Sequence, residues 1–315
     1  MAHIMHKVST DLLYLSREEV ASLLPPVEQQ LELVERTLQA TSTGRVELPP
    51  KLGVYPRADS LVHAMPAYLA EDDVVAVKWI SAYSGNSPLG LPSISGVIVL
   101  NEAETGRPIA VMDAAEITAV RTAAVSGVCI RRFAPDGWRR VGIVGFGEQG
   151  RFHARMVAGL NAEASVAVYS PRGRNGYEEP VEEARSAAEA IAGADVIVTA
   201  APLARQASPA VVAEALEGNC LVLPIDFGAS VASEAVECAD LFLVDDDGQF
   251  EVYRQKGFFD GWPDPHGVLA DLGVSRPARG RVVCCNLGVG SLDAAFAAAV
   301  LAEARTQEIG LRLPR

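Results

Sequence analysis

Arg139-Arg-Val-Gly-Ile-Val-Gly-Phe-Gly-Glu-Gln-Gly150 sets a short apolar strand directly against a Gly-x-Gly-x-x-Gly turn, and the next residues, Arg151-Phe-His-Ala-Arg-Met-Val-Ala-Gly-Leu160, have helical periodicity. Strand, glycine turn and helix in that order make a cradle for a dinucleotide pyrophosphate, because backbone N–H groups and the positive end of the helix converge on the anion. Gly145 serves the tight turn, Gly147 the close approach of backbone to phosphate, and Gly150 the packing of helix on strand. Phe146, Glu148 and Gln149 complete the expected cofactor-binding run. A glycine triplet alone is weak evidence; its place between a strand and a helix is what gives it force. The plainer alternative is a glycine turn in an ordinary βα unit.

Outward from this turn the pattern continues as an α/β fold. Strands are expected at 165–169, 195–199, 220–225 and 241–244, with an acidic helix near 180–192, an alternation that builds a parallel sheet covered on both faces. Upstream the pattern differs. Ser16-Arg-Glu-Glu19 has capping-box spacing ahead of a helical repeat, and Pro25-Pro26 separates two helices. From Glu47 onward short strand-like runs predominate, including Val74–Ile80, Ser95–Leu100 and, after a hairpin loop, Pro108–Met112. Asp113-Ala-Ala-Glu116 offers a second capping box, opening an Ala- and Val-rich helix to about Phe133 that connects the two regions. The strand Val282–Cys285 and the Ala-rich helix Ser291–Ala304 end the pattern, and that helix is expected to pack back on the first region. The expected organisation is a Rossmann dinucleotide-binding domain over 126–279 and a discontinuous α+β substrate domain from 6–125 and 280–315.

Of the 315 residues, 49% are hydrophobic and the net charge is −13, which disfavours nucleic acid or an anionic membrane surface as a partner. No run of apolar residues is long enough to span a bilayer and no signal-peptide pattern opens the chain, so a cytoplasmic location is expected, with Met5 reading as the native start. Cys129, Cys220, Cys238, Cys284 and Cys285 lie in apolar stretches without metal-ligand spacing and read as buried thiols; no metal site is expected.

The end of the second nucleotide strand discriminates between cofactors, since a carboxylate there binds the ribose 2′-hydroxyl of NAD. Here Tyr169-Ser-Pro-Arg-Gly-Arg174 supplies no carboxylate. Ser170, Arg172 and Arg174 instead offer a hydroxyl and two guanidinium groups suited to a 2′-phosphate, so NADP(H) is preferred and NAD(H) remains possible. A basic solvent-facing loop is the plainer alternative.

A denser signature lies in the first half. Met65-Pro-Ala67, Lys78-Trp-Ile80, Asn86, Gly90-Leu-Pro92, Gly96, Thr105-Gly106, Ala110-Val-Met-Asp113 and Thr118-Ala-Val-Arg-Thr-Ala-Ala124 occur in that order, followed by Glu234 to Asp245 and by Leu287-Gly288 with Asp293. In this order the sequence resembles the ornithine cyclodeaminase/μ-crystallin family over nearly its whole length. The resemblance implies a homodimer built through the discontinuous domain and a small α-amino or α-imino acid in the cleft beside the nicotinamide. It assigns Arg121 to the substrate carboxylate, with Lys51 where many relatives carry an arginine, Met65 lining the site, and Thr122 on the cofactor side. Lys78 falls in an otherwise apolar strand, where burial lowers an amine's pKa and suits it to exchange a proton with the substrate nitrogen; a snorkelling edge lysine is the alternative. Lys51 could equally be a loop lysine, and Met65 plain core.

The sequence departs from the cyclodeaminases at Pro224-Ile-Asp-Phe-Gly-Ala-Ser-Val231, where alignment through Gly228 puts Ala229 in place of their aspartate. Asp226, three positions earlier, reads either as a replacement acid or base, or as a cap for the following turn. The segment Gly257–His266 is aromatic-rich and has no assignable role. The expected activity is therefore NADP-dependent ketimine reduction or amino-acid dehydrogenation by hydride transfer at the α-carbon. A cyclodeaminase that recycles NAD and a μ-crystallin-like ligand-binding protein are the alternatives.

Overall fold

The computed structural model describes residues 11–57, 60–171, 173, 180–202 and 209–314. In chain order the first region comprises β1 (Leu12–Leu15), α1 (Arg17–Leu23), α2 (Val27–Ser42), β2 (Val46–Glu47), β3 (Leu52–Val54), β4 (Ser60–Leu69), β5 (Val74–Tyr83), β6 (Ile94–Glu102) and β7 (Pro108–Asp113). The long α3 (Ala115–Phe133) then leads into β8 (Arg140–Val144), α4 (Glu148–Leu160), β9 (Ser165–Tyr169), β10 (Glu182–Glu183), α5 (Ala187–Ile191) and β11 (Val196–Thr199). The remainder is β12 (Cys220–Pro224), α6 (Ser233–Glu237), β13 (Leu241–Val244), α7 (Asp247–Gln255), β14 (Gly267–Val268), β15 (Arg281–Cys285), α8 (Gly290–Thr306) and β16 (Leu311–Leu313).

Two sheets organise these elements. The first runs β16-β1-β7-β6-β5-β4-β2, with β3 also on β4, and is antiparallel except where β1 pairs with β7. The second runs β10-β9-β8-β11-β12-β15-β13-β14 and its pairings are parallel. Strand order reverses at β8, so the crevice beyond its carboxyl end is the switch point at which open α/β sheets bind ligands. The α/β class and the Rossmann-type sheet expected from the sequence are present. Helix α8 packs across β4, β5 and β6, as its alanine content suggested, and α3 lies against α2, α4 and α8.

Three local expectations need correction. Ser16 caps α1 with the reciprocal Glu19 bond, but the second capping box does not form: Asp113 ends β7, its carboxylate accepts from Ala115 N, and Ala114 takes the cap position of α3. The acidic stretch 180–192 yields only α5, because Glu182 and Glu183 pair with β9 instead. Strand β15 lies in the parallel sheet between β12 and β13, whereas the expected grouping placed 280–285 with the first region. The reading of all five cysteines as buried is also corrected: Cys238, just past the end of α6, is exposed, and the other four are buried.

The glycine turn has three different local constraints. Gly145 has φ +96°, and a Cβ there would lie 2.4 Å from the Ala200 carbonyl at the end of β11. At Gly150 a Cβ would meet the Gly145 carbonyl oxygen at 2.2 Å, so the helix can sit this low only without a side chain. A Cβ at Gly147 would meet nothing within 4 Å. We therefore expect Gly150→Ala to destabilise the fold by about 1–3 kcal/mol, the usual range for overpacking. Gly147→Ala should leave the denaturant midpoint unchanged. Equal midpoints for the two variants would show that the helix rides free of the strand.

Candidate functional site

Alternation along β5 turns Val74, Ala76, Lys78 and Ile80 toward the helices, and Lys78 is opposite Met65 of β4 and Ile98 of β6, both buried. An ammonium in that row, 1% exposed, requires a partner. It donates to Asp293 Oδ1 at 2.8 Å and to Thr118 Oγ1 at 3.3 Å. Arg121, one turn beyond Thr118 on α3, donates from Nε to the same Asp293 oxygen at 3.0 Å. Asp293 sits in the first turn of α8, where the helix dipole favours a carboxylate, and is itself 1% exposed. Its Oδ2 is buried without a partner, and among the described residues the two terminal nitrogens of Arg121 meet no acceptor. Gly288, with φ +79°, lies so close to the guanidinium that a Cβ would come within 2.5 Å of Nη1.

Lys51 approaches from the opposite side. Its backbone N–H donates to Gln249 Oε1 at 3.0 Å and its Nζ to the Leu287 carbonyl at 2.5 Å, while Nζ lies 5.6 Å and 5.4 Å from the ring centres of Phe227 and Tyr253. The Leu287–Gly288 backbone that carries both contacts is fixed by Asp245, whose carboxylate accepts from Leu287 N at 3.0 Å and Gly288 N at 2.6 Å. Burial pulls Lys78 down to about 7, opposed by Asp293, and Lys51 down to about 8, opposed by Asp245. Met65 is buried beside Lys78 and belongs to the hydrophobic core, a setting that fits both of its readings.

Sequence reasoning missed His63 and the part played by Asp293. His63 shares the inward face of β4 with Met65, contacts the Tyr55 and Tyr253 rings edge-on, and has Nε2 3.4 Å from the Tyr55 hydroxyl, which accepts from Lys256 Nζ at 3.0 Å. Burial first, then Lys51, Lys256 and Lys78, lower its pKa to about 4, so it is neutral at pH 7. The signal for His63 was its place two residues before Met65 in a strand; for Asp293 it was a carboxylate in the first turn of an alanine-rich helix.

The cradle accounts for the other expected positions. Gly147 opens on free space at the N-terminus of α4, the feature a bound phosphate group would use, while Gln149 Oε1, an acceptor, is buried without a partner. Glu148 instead accepts from Arg17 at 2.7 Å, and Phe146 is buried. Thr122 donates its hydroxyl to the Thr118 carbonyl at 2.7 Å, one turn back on α3. Ser170 follows β9 directly; Arg172 and Arg174 lie outside the described residues. Asp226 stands apart from the lysines. Its carboxylate accepts from Thr199 Oγ1 at 2.9 Å and Ala201 N at 3.3 Å, joining the ends of β11 and β12, and burial raises its pKa against bonds from Ser230 and Thr199. The turn-capping alternative matches this geometry. In the 257–266 segment Phe259 and Trp262 are buried against Phe242 and Phe250, whereas Phe258 packs on Phe227 and Tyr253, the rings beneath Lys51. Among the described residues no cluster of three His, Cys, Asp or Glu side chains could hold a metal.

The shared carboxylate gives a test. Asp293→Asn leaves two buried cations without a counter-ion, and we expect a loss of about 3–5 kcal/mol. The loss depends on pH. Lys78 is at about 7 folded against an ordinary 10.5, so between those values the unfolded chain binds the extra proton and stability rises with pH. Removing Asp293 lowers the folded value further, so the deficit should be larger at pH 6 than at pH 9, where Lys78 is neutral with or without its partner. A deficit that grows with pH would contradict the arrangement.

Comparison with known proteins places these features in a group. The chain is 33% identical over 306 residues to the nodulation efficiency protein NfeD of Rhizobium meliloti, covering 91% of this chain and 93% of that one. The Δ1-pyrroline-2-carboxylate reductase of Thermococcus litoralis, solved with NADH and L-proline, superposes with a TM-score of 0.84 at 26% identity, covering 96% of this chain and all of the other. An archaeal alanine dehydrogenase dimer with bound NAD gives a TM-score of 0.82 at 26% identity, covering 96% and 99%. The model of the ornithine cyclodeaminase/mu-crystallin family matches residues 11–234, more than half of the sequence, and the chain belongs to that family.

Proposed function

We propose that the protein is an NADP(H)-preferring oxidoreductase of small α-imino and α-amino acids, working as a ketimine reductase or as the reverse dehydrogenase. The observation that carries this reading is the single oxygen of Asp293 holding both Lys78 and Arg121, which sets a proton-exchanging amine beside a guanidinium with two unused donors. A nicotinamide, when bound, supplies or accepts hydride at the substrate α-carbon. The protein's own groups do the rest. Arg121 grips the substrate carboxylate through its terminal nitrogens, with Lys51 adding a second charge from across the cleft. Lys78, near pH 7 already able to exist in both forms, gives a proton to nitrogen during reduction and takes one during oxidation. The Gly145–Gly150 cradle receives the pyrophosphate, Thr122 borders it, and Ser170, Arg172 and Arg174 take the 2′-phosphate.

Asp226 has no part in proton transfer in this scheme; it ties two strand ends. A cyclodeaminase is less well supported. Ala229 is a buried methyl, and Asp245, Asp246 and Asp293 are already engaged by Leu287 and Gly288, by the cap of α7 and by the two cations. Among the described residues that leaves Asp293 Oδ2 as an unpartnered carboxylate oxygen, and it belongs to the group that already holds Lys78 and Arg121. Two copies pair through the outer face of the first sheet, where Trp79 is 52% exposed beside Val97 and Ala64, with Leu52 and Val54 on the adjoining strand. No described helix is long and apolar enough to cross a membrane, and the proposed location is the cytoplasm.

The assay is incubation with NADPH and a panel of cyclic ketimine carboxylates, following loss of the reduced nicotinamide absorbance. Turnover should be constant at low pH and fall as pH rises through about 7 in the reductive direction, with the opposite profile for oxidation. Lys78→Met should lower kcat by about 10²–10⁴-fold while leaving NADPH affinity intact; unchanged turnover removes Lys78 from the chemistry. Ammonia release from a diamino acid without net oxidation would establish the cyclodeaminase instead, and tight binding without either reaction a ligand-binding protein. In a separate measurement Arg172→Ala with Arg174→Ala should weaken NADPH far more than NADH, whereas equal losses would reduce the loop to packing.

A further inference from the structure

Helix α3 is buried along almost its whole length, yet it carries hydroxyls at Thr118, Thr122 and Ser126, spaced four residues apart on one face. The first meets Lys78. The last leads elsewhere. Ser126 Oγ lies 2.9 Å from His153 Nε2, and His153 Nδ1 lies 2.7 Å from the Gln149 carbonyl in the first turn of α4. On its other side Ser126 accepts from Asn286 Nδ2 at 3.3 Å. Ser126, His153 and Asn286 are all buried.

The proton positions follow from what each atom can do. A carbonyl only accepts, so His153 Nδ1 carries the hydrogen and Nε2 is bare; Nε2 then accepts from the Ser126 hydroxyl, whose oxygen accepts from Asn286. Burial holds His153 down to about 4, so the neutral ring and this direction persist at neutral pH. One end of the chain is the turn that holds Gln149, with its unpartnered Oε1 in the nucleotide cradle. The other end immediately precedes Leu287 and Gly288, the backbone that takes Lys51 Nζ and lies against the Arg121 guanidinium.

We propose that His153, Ser126 and Asn286 are positioning residues that couple the nucleotide cradle to the carboxylate clamp, so that a loaded cradle raises the affinity of the clamp for its anion. The inference rests on the functional reading above. A nucleotide that orders the first turn of α4 fixes the Gln149 carbonyl, and through two hydroxyl–ring and amide–hydroxyl bonds fixes the height of the Leu287–Gly288 backbone between Lys51 and Arg121. None of the three residues needs to touch substrate. By linkage the effect is reciprocal: the anion must tighten the nucleotide by the same factor.

Calorimetric titration with pyrrole-2-carboxylate as the planar carboxylate probe, with and without saturating NADP⁺, tests this. In the native protein the nucleotide should tighten the probe by at least about fivefold. Ser126→Ala, which removes one hydroxyl from a helix that readily accepts alanine, should leave each ligand's separate affinity within about threefold but bring the coupling ratio to about one. His153→Leu, which breaks the chain on the nucleotide side, should do the same. A packing role alone would lower thermal stability and leave the ratio unmoved. A native ratio of one, or a Ser126→Ala protein that keeps the native ratio, overturns the proposal. Failure of the native protein to bind either ligand would instead overturn the functional reading.

Discussion

A single buried oxygen, Asp293 Oδ1, compensates two cations drawn from two other elements, and the position of the whole site follows from it. Neither Lys78 in the centre of an apolar strand nor Arg121 in a buried helix is tolerable alone, since an uncompensated buried charge costs several kcal/mol. The carboxylate reaches them only because α8 lies low on the first sheet. Gly290 makes that possible: a Cβ there would stand 3.1 Å from the carbonyls of Met65 and Pro66. The alanines that follow keep the helix close along its length. Two cations against one carboxylate leave positive charge in a space largely shut off from water. Its natural complement is an anionic ligand group.

The cofactor side is built by the same economy of backbone. Gly145 and Gly150 remove side chains where β8, β11 and α4 converge, and Gly147 leaves its side of the turn open. Helix α3 then serves both halves. Thr118 and Arg121 face the cation cluster, and Ser126 faces α4 and the end of β15. A displacement of this helix would therefore be felt at both binding surfaces together.

How much of this was legible beforehand depended on the range of the interaction. The glycine turn could be read because its signal is local: strand, turn and helix are contiguous. Lys78 stood out because a charge interrupts a period-two apolar strand, and the family pattern supplied Arg121 and Lys51. Asp293 could not be assigned its role, because its partners are 215 and 172 residues away and nothing local marks a carboxylate in a helix as a counter-ion. His63 was hidden for the same reason, its setting being made by Tyr55, Tyr253 and three lysines from separate elements. The failed capping box at Asp113 has a different cause. The residue still accepts from a helical N–H, at Ala115, but pairing of β7 with β6 extends through Asp113 and shifts the cap by one position. Asp226 carried two readings because strand ends attract both ligands and turn-capping acids, and its partners, the Thr199 hydroxyl and the Ala201 amide, lie 27 and 25 residues away in the sequence.

The carboxylates around the cleft also bear on which side chains a substrate can carry. Asp245 accepts from two backbone amides, Asp246 caps α7, Asp226 joins two strands, and one oxygen of Asp293 is shared by two cations. Lys51 and Lys256 have aromatic rings and oxygen acceptors as neighbours but no carboxylate within ion-pair distance among the described residues. A substrate with a second ammonium would enter a region that Lys51, Lys78 and Arg121 already share. The aromatic wall formed by Phe227, Tyr253 and Tyr55 offers such a group ring faces only where lysines already lie over them. Under the proposed function this charge placement would disfavour basic side chains before any steric fit is considered, because a like charge in a partly desolvated cleft is penalised even at separations of several ångströms.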